Sequence, residues 1–156
     1  MIKKITFEEV LPFWKDFLWP NRVSSIDPIS YMKYLDGYNA DIKNYKPTFF
    51  AKTYKGKIVG VNSGHRTSDA DYRSRGLWVD PNHRKKGYGI KLLQATLDQA
   101  KKEGCDLCWS FPRQSSLDTY TEAGFIQTSD WTMDGEFGPN CYVLAKLKVD
   151  RHNDKF

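Results

Sequence analysis

Nowhere in its 156 residues does this chain hold the roughly 20 uninterrupted apolar residues that a membrane-spanning helix needs. A chain that does not enter a bilayer is the expectation. The start, Met1-Ile2-Lys3-Lys4-Ile5, has lysines but no apolar core or small-residue cleavage site behind them. No secretory signal is visible, and cytoplasmic residence is expected. Cysteine is scarce: Cys105, Cys108 and Cys141 make an odd number in a chain without an export signal, which speaks against a disulfide framework. Cys105-Asp106-Leu107-Cys108 has the spacing of a redox or zinc pair. A zinc site wants a second pair, however, and a thioredoxin-type motif opens a helix, whereas this one enters a strand. Buried structural thiols and no metal site are the reading. Repeats, low-complexity tracts and Ser/Gly linkers are missing too, which leaves one domain over residues 1–150 and a loose tail over 151–156.

Charge is not lopsided. Twenty-four basic against nineteen acidic residues leave +5, which suits an anionic partner without naming it. The only block of three consecutive basic residues is Arg84-Lys85-Lys86. A nucleic-acid binder would need a contiguous basic and aromatic face, and nothing in the periodicity draws Tyr72, Trp78 and Tyr88 onto one. Neither nucleic acid nor membrane is an expected partner.

The order of elements is legible. Ile2 to Thr6 reads as a strand, and Thr6 with Glu9 three residues later as a capping box opening a helix that Pro12 kinks or restarts. Asp27-Pro28 begins a further helix that carries Ile29, Met32 and Leu35 and stops at Gly37. Thr48 to Tyr54 and Lys57 to Gly64 form a hairpin around Lys55-Gly56. Tyr72 to Val79 is another strand. A helix from about Gly87 to Glu103 follows, with Ile90, Leu93, Leu97 and Ala100 on its buried face. After a strand at Leu107 to Phe111, Ser115 or Ser116 caps a short helix through Ala123. Strands at Phe125 to Met133 and Cys141 to Val149 complete an α/β chain with a mixed sheet of about seven strands flanked by helices.

The chemistry concentrates in Gly76-Leu77-Trp78-Val79-Asp80-Pro81-Asn82-His83-Arg84-Lys85-Lys86-Gly87-Tyr88-Gly89-Ile90. A strand ends, a loop turns, and a helix starts on glycines. The first helical turn has unpaired N–H groups and the positive end of a dipole, while glycine lets an anion approach the backbone. Charge-assisted hydrogen bonds of about 1.5–3 kcal/mol each outweigh the dipole's 0.3–1 kcal/mol, so the N–H groups dominate. Ile90-Lys91 after Gly89 is not the Lys-Ser or Lys-Thr of a P-loop, and Leu92 stands where a dinucleotide fingerprint needs its third glycine.

Arg84-x-x-Gly87-x-Gly89, placed after Leu77-Trp78-Val79-Asp80-Pro81, resembles motif A of the GNAT superfamily of N-acetyltransferases. The resemblance runs from about Lys57 to Phe125. It implies acetyl-CoA as acetyl donor, with the backbone of Leu77, Trp78 and Val79 along the pantetheine arm. The N–H groups of Arg84, Lys85, Lys86, Gly87, Tyr88, Gly89 and Ile90 would hold the pyrophosphate. It also implies a splay between the strand of Leu77 and that of Leu107, through which the thioester reaches a small-molecule or peptide amine.

Tyr120-Thr121-Glu122-Ala123-Gly124-Phe125 resembles the family's Tyr-x-x-x-Gly-Phe, which makes Tyr120 the candidate general acid. The plainer reading is an aromatic packed on Leu117. Many relatives have asparagine seven residues before that tyrosine. This chain has Arg113, and Arg113 or Ser116 is expected to take over the cofactor contact. The glutamate base common on the strand before the phosphate loop is also missing, since that stretch reads Asp71-Tyr72-Arg73-Ser74-Arg75. Asp69, Asp71, His65, Asp134 and Glu136 are the substitutes available, and Arg73 and Arg75 are either clamps for an acceptor carboxylate or structural. Trp14, Trp19, Tyr31 and Tyr34 either wall the acceptor cleft or fill the core. The expected activity is N-acetylation by direct attack of a primary amine on the thioester, in a monomer or homodimer. The alternative is an acetyl-CoA sensor that has lost catalysis.

Overall fold

A computed structural model describes residues 1–32, 34, 45–133 and 136–147. Strand β1 (Ile2–Ile5) leads into helix α1 (Phe7–Phe13) through the expected capping box. The Thr6 hydroxyl accepts from the Glu9 N–H at 3.2 Å and the Glu9 carboxylate accepts from the Thr6 N–H at 3.0 Å, together worth about 1 kcal/mol. Pro12 sits inside α1 with no N–H to return, and directly after it the helix widens into a π turn, Trp14–Leu18. Strands β2 (Thr48–Tyr54) and β3 (Lys57–Arg66) meet at Lys55 and Gly56, both at positive φ, the geometry that twist-matched two-residue hairpins require.

Strand β4 (Asp71–Val79) is followed by helix α2 (Tyr88–Lys102), β5 (Leu107–Ser110), helix α3 (Gln114–Glu122), β6 (Ile126–Gln127) and β7 (Val143–Lys146). The seven strands form one sheet in the order β1-β2-β3-β4-β5-β7-β6, antiparallel except for the β4–β5 pair. Helices cover both faces. Val10 and Trp14 pack with Phe49, Ala51, Val61 and Trp78 on one, and Leu93, Ala100, Tyr120 and Phe125 pack with Tyr72, Cys108 and Val143 on the other. On α2 the fully buried side chains are Leu92, Leu93, Thr96 and Ala100, while Ile90 and Leu97 are half-buried. All three cysteines are free and buried, and burial pushes the Cys105 thiol up to about 11. Among the described residues no His/Cys/Asp/Glu group could hold a metal, and no helix is long and apolar enough to cross a membrane.

Four expectations change. Asp27 to Met32 form no helix, and residues 33 and 35–37 lie outside the described ones. The main chain of that segment is engaged elsewhere: the Asp27 carbonyl accepts from Arg75 at 2.8 Å and the Ser30 N–H donates to His65 at 3.2 Å. Neither serine caps α3. Arg113 is the residue before its first turn, without a side-chain cap bond, and Ser115 and Ser116 are already helical. The strand expected at Phe125 to Met133 is only Ile126–Gln127, because the Ser129 hydroxyl takes the Tyr142 N–H at 2.9 Å in place of a ladder partner. Past Lys146 the expected last strand has no further residue in the ladder, and 148–156, the tail included, lie outside the described residues.

Candidate active site

Two irregularities in β4 build the site. Opposite Asn62 of β3, the pair Gly76-Leu77 stands against a single residue: Ser63 faces Arg75 and Val61 faces Trp78. Such a bulge shifts the alternation of side chains by one. Arg73 and Arg75 therefore share a face with Trp78, and that face is covered by the turn carrying Trp14. The second irregularity is a parting of strands. β4 and β5 pair only through Asp71–Leu107, Tyr72–Cys108 and Arg73–Trp109, with a last side-chain link from the Ser110 hydroxyl to the Ser74 carbonyl at 2.6 Å. Beyond it the edge of β4 toward β5 has no strand partner.

The opening holds two cavities that share Leu18, Leu77, Arg113 and Ser116. One, of about 430 Å³, lies along the end of β4 and the start of α2. Gly87, at φ +79°, turns the chain into α2, and an added Cβ there would meet open space. The first main-chain bond of the helix runs from the Lys91 N–H to the Gly87 carbonyl at 3.1 Å, so the N–H groups of Tyr88, Gly89 and Ile90 have no helical partner. Gly89 has a different reason to be glycine. Its Cβ would come within 2.9 Å of the Thr119 methyl on α3, so this glycine sets how closely the two helices approach.

The other cavity, of about 390 Å³, opens on the far side of the parted strands. Tyr120 reaches it from α3, only 2% exposed, its hydroxyl 3.0 Å from Ser74 Oγ and 3.1 Å from Ser110 Oγ. Burial raises its pKa above the ordinary tyrosine value, so the phenol stays protonated. Arg75 lies between Trp14 and Trp19, its guanidinium carbon 5.0 and 5.2 Å from their ring centroids, and Arg73 lies 4.8 Å over Trp109. Burial pushes Arg73 down to about 10 and Arg75 to about 9, which leaves both cationic at neutral pH.

The model of the acetyltransferase (GNAT) family matches residues 11–125, the span that contains both cavities' strand and helix walls. The chain belongs to the acetyltransferase (GNAT) family. Solved structures agree in fold. A GNAT-family acetyltransferase from Staphylococcus aureus is 16% identical, with a TM-score of 0.64 over 95% of this chain and 99% of that one. A Salmonella typhimurium protein solved with its cofactor acetyl-CoA is 22% identical, with a TM-score of 0.56 over 65% of each chain. N-acetylglutamate synthase from Neisseria gonorrhoeae, complexed with coenzyme A and N-acetyl-glutamate, is 18% identical, with a TM-score of 0.54 over 64% of this chain and 26% of that one. No match by sequence emerges among curated proteins.

The GNAT fold brings most of the sequence-derived candidates together. Leu77, Trp78, Val79, Arg84, Lys85, Gly87, Tyr88, Gly89, Ile90, Arg113 and Ser116 all line the first cavity. Lys86 does not; its ammonium lies 5.5 Å over the Tyr54 ring. Arg84 is tied back by a bond from Nε to the Val79 carbonyl at 2.9 Å. Of the described candidate bases, Glu136 lines the second cavity, where its Oε2 accepts the Val23 N–H at 2.9 Å. His65 is buried with both ring nitrogens engaged: Nε2 accepts from Ser30, so Nδ1 carries the proton and donates to the Arg66 carbonyl at 2.9 Å. Asp69 accepts from the Tyr45 hydroxyl, Asp71 lies at the paired end of β4, and Asp134 is outside the described residues.

Trp19 lines the second cavity, Trp14 is wholly buried behind Arg75, Tyr31 is exposed, and Tyr34 packs on Trp109 and Tyr142. Sequence reasoning missed Ser115, Asp118, Thr119 and Glu122 on the α3 wall of the first cavity, although their spacing of three and four places them on one helical face. It also missed Arg22, Phe137, Asn140 and Tyr142, which converge on the second cavity from separate loops with no local signal.

Proposed function

We propose that this chain transfers an acetyl group from acetyl-CoA to a primary amine. The observation that carries this reading is the pair of cavities joined at Leu77 and Arg113, with unpaired N–H donors at the start of α2 on one side and the Tyr120 hydroxyl on the other. Family membership supports it, as does the acetyl-CoA in the Salmonella relative.

The residues present suit the donor. The unpartnered edge of β4 at Leu77 to Val79 offers amide groups to the two amides of a pantetheine arm. The α2 turn, with Arg84 and Lys85 beside it, offers N–H groups and positive charge to a diphosphate. When bound, the donor supplies a thioester carbonyl as electrophile.

The chain's own work is then to orient the amine and move protons. An amine of pKa ~10.4 spends about 4.6 kcal/mol to be a free base at pH 7, at roughly 1.36 kcal/mol per unit. Glu136, the one described carboxylate in the acceptor cavity, is the group to take that proton, directly or through water. Tyr120, kept protonated by burial and positioned by Ser74 and Ser110, gives its proton to the departing thiolate and regains one from the attacking nitrogen as the amide forms. A thiol of pKa ~8.5 is a weaker base than a tyrosinate of ~10 or above, so that transfer needs the two atoms held together as the bond breaks.

The experiment is a calorimetric titration with acetyl-CoA, followed by free-thiol release across a panel of amines. Binding with amine-dependent release supports transfer. Binding without release from any amine assigns the chain to the sensor alternative, and no binding removes the donor site.

A further inference from the structure

Among the described residues the acceptor cavity is lined by four guanidinium groups, Arg22, Arg73, Arg75 and Arg113, and by one carboxylate, that of Glu136. Among the described residues the one ion pair is Arg66 with Glu103, elsewhere in the fold. Arg75 is 4% exposed, and its one bond within the described chain goes from Nη1 to the Asp27 carbonyl. Arg73 likewise makes one, from Nη1 to Ser30 Oγ at 2.7 Å, and its buried Nε has no partner. Each guanidinium carries five N–H donors, so most of this capacity is unspent. Burying a cation outside an ion pair is costly, and the tryptophan faces, with the Asp27 carboxylate acting on Arg75 from beyond ion-pair distance, offset only part of that cost. A purely structural arginine at this depth would be expected in an ion pair, and among the described residues neither Arg73 nor Arg75 makes one. Here the aromatic rings hold the guanidiniums in place, and the cavity is where their charge is answered.

We infer that the amine acceptor carries an oxyanion, a carboxylate or a phosphate, and that Arg75 and Arg73 hold it while the amine faces the junction at Leu77. The inference rests on the acetyl-transfer reading above and narrows its acceptor to small anionic amines. Arg22 and Arg113 add to the field that draws such a molecule in, and planar guanidinium forks suit both oxyanions.

The test compares matched amines in the wild-type protein: α-amino acids against their carboxamides, and aminoalkyl phosphates against the corresponding amino alcohols. Two readouts are taken, kcat/KM from thiol release and calorimetric affinity of the same compounds in the presence of coenzyme A. The expected result is at least a tenfold preference for one anionic series over its neutral partners, as charge-assisted bonds to a fork require. Whichever series shows it tells carboxylate from phosphate. In Arg75→Lys, which keeps the charge and loses the fork, and in Arg73→Met, the ratio of anionic to neutral falls toward one. Circular dichroism and acetyl-CoA affinity confirm that each variant is folded.

Equal or better turnover of neutral amines overturns the inference and leaves acetyl transfer standing. Arginine-dependent anion affinity without turnover of any amine upholds the oxyanion site and overturns acetyl transfer. Neither turnover nor arginine-dependent affinity overturns both.

Discussion

The indole N–H of Trp14 donates to the carbonyl of Gly76 at 2.8 Å, across 62 positions of sequence. The same ring fills the place where a side chain on Gly76 would begin, since an added Cβ would sit 2.4 Å from it. Gly76 is at φ +81°, inside the β4 bulge, so the bulge and the N-terminal helix are built against each other. Gly76→Ala should therefore cost about 3 kcal/mol or more, from a positive φ and from displacement of a wholly buried tryptophan. Trp14→Phe should cost about 1–3 kcal/mol by orphaning the carbonyl. Urea unfolding measures both, and a Gly76→Ala variant of wild-type stability would contradict this account of the bulge.

Gly89 offers a sharper test because the obstacle is one methyl group. Gly89→Ala should destabilise by about 1–3 kcal/mol as its Cβ meets Thr119 Cγ2. Adding Thr119→Ser removes that methyl. The double variant should then match or exceed the parent, since alanine gains up to about 1 kcal/mol over glycine in a helix. Additive effects of the two changes would show that they do not communicate. Gly89→Trp, whose indole must enter the first cavity or part the helices, should abolish acetyl-CoA binding.

Tyr120→Phe should lower kcat by roughly 10²-fold or more while leaving acetyl-CoA affinity within about twofold. Because burial raises the pKa of this phenol, wild-type kcat should not decline on its account as pH rises to 9. Steady-state kinetics with a calorimetric dissociation constant decides it. Unchanged turnover in the phenylalanine variant takes Tyr120 out of the proton transfer and leaves it a core residue bonded to Ser74 and Ser110.

His65 gives stability a pH dependence. Burial holds it neutral in the fold, its pKa lowered to about 3, whereas an unfolded histidine titrates near 6.5. The unfolded chain binds the proton first as pH falls. The resulting stabilisation is present above about 6.5 and is lost progressively down to about 3. Wild-type unfolding free energy should fall by up to about 1.36 kcal/mol per pH unit within that window from this group alone. His65→Gln should lack that component. Identical slopes for the two proteins between pH 4.5 and 6 would place the acid sensitivity elsewhere.

What was readable before any fold was known lay where a short stretch of chain answers to its own chemistry. Thr6 and Glu9 cap a helix whatever surrounds them, and Lys55-Gly56 closes a hairpin by its own torsions. The run from Arg84 to Ile90 makes an anion-ready turn because one glycine adopts positive φ and helical N–H groups go unpaired. Segments whose backbone bonds are claimed by distant partners could not be read in that way. Asp27 to Met32 carries a helix-opening pattern, yet Arg75 and His65 take its carbonyl and its N–H.

The sequence by itself carried the family resemblance, and it determined the mixed sheet and the anion-ready turn at the start of α2, because spacing and torsional preference are local quantities. Tertiary structure alone decided the second cavity. One extra residue at Gly76-Leu77 reverses the alternation of β4, so that Arg75 and Trp78 share the face against which Trp14 packs. Loops that share no pattern then close a cationic cavity around Arg73 and Arg75. Parity and convergence depend on which strand lies opposite which, and that relationship exists only once the chain has folded.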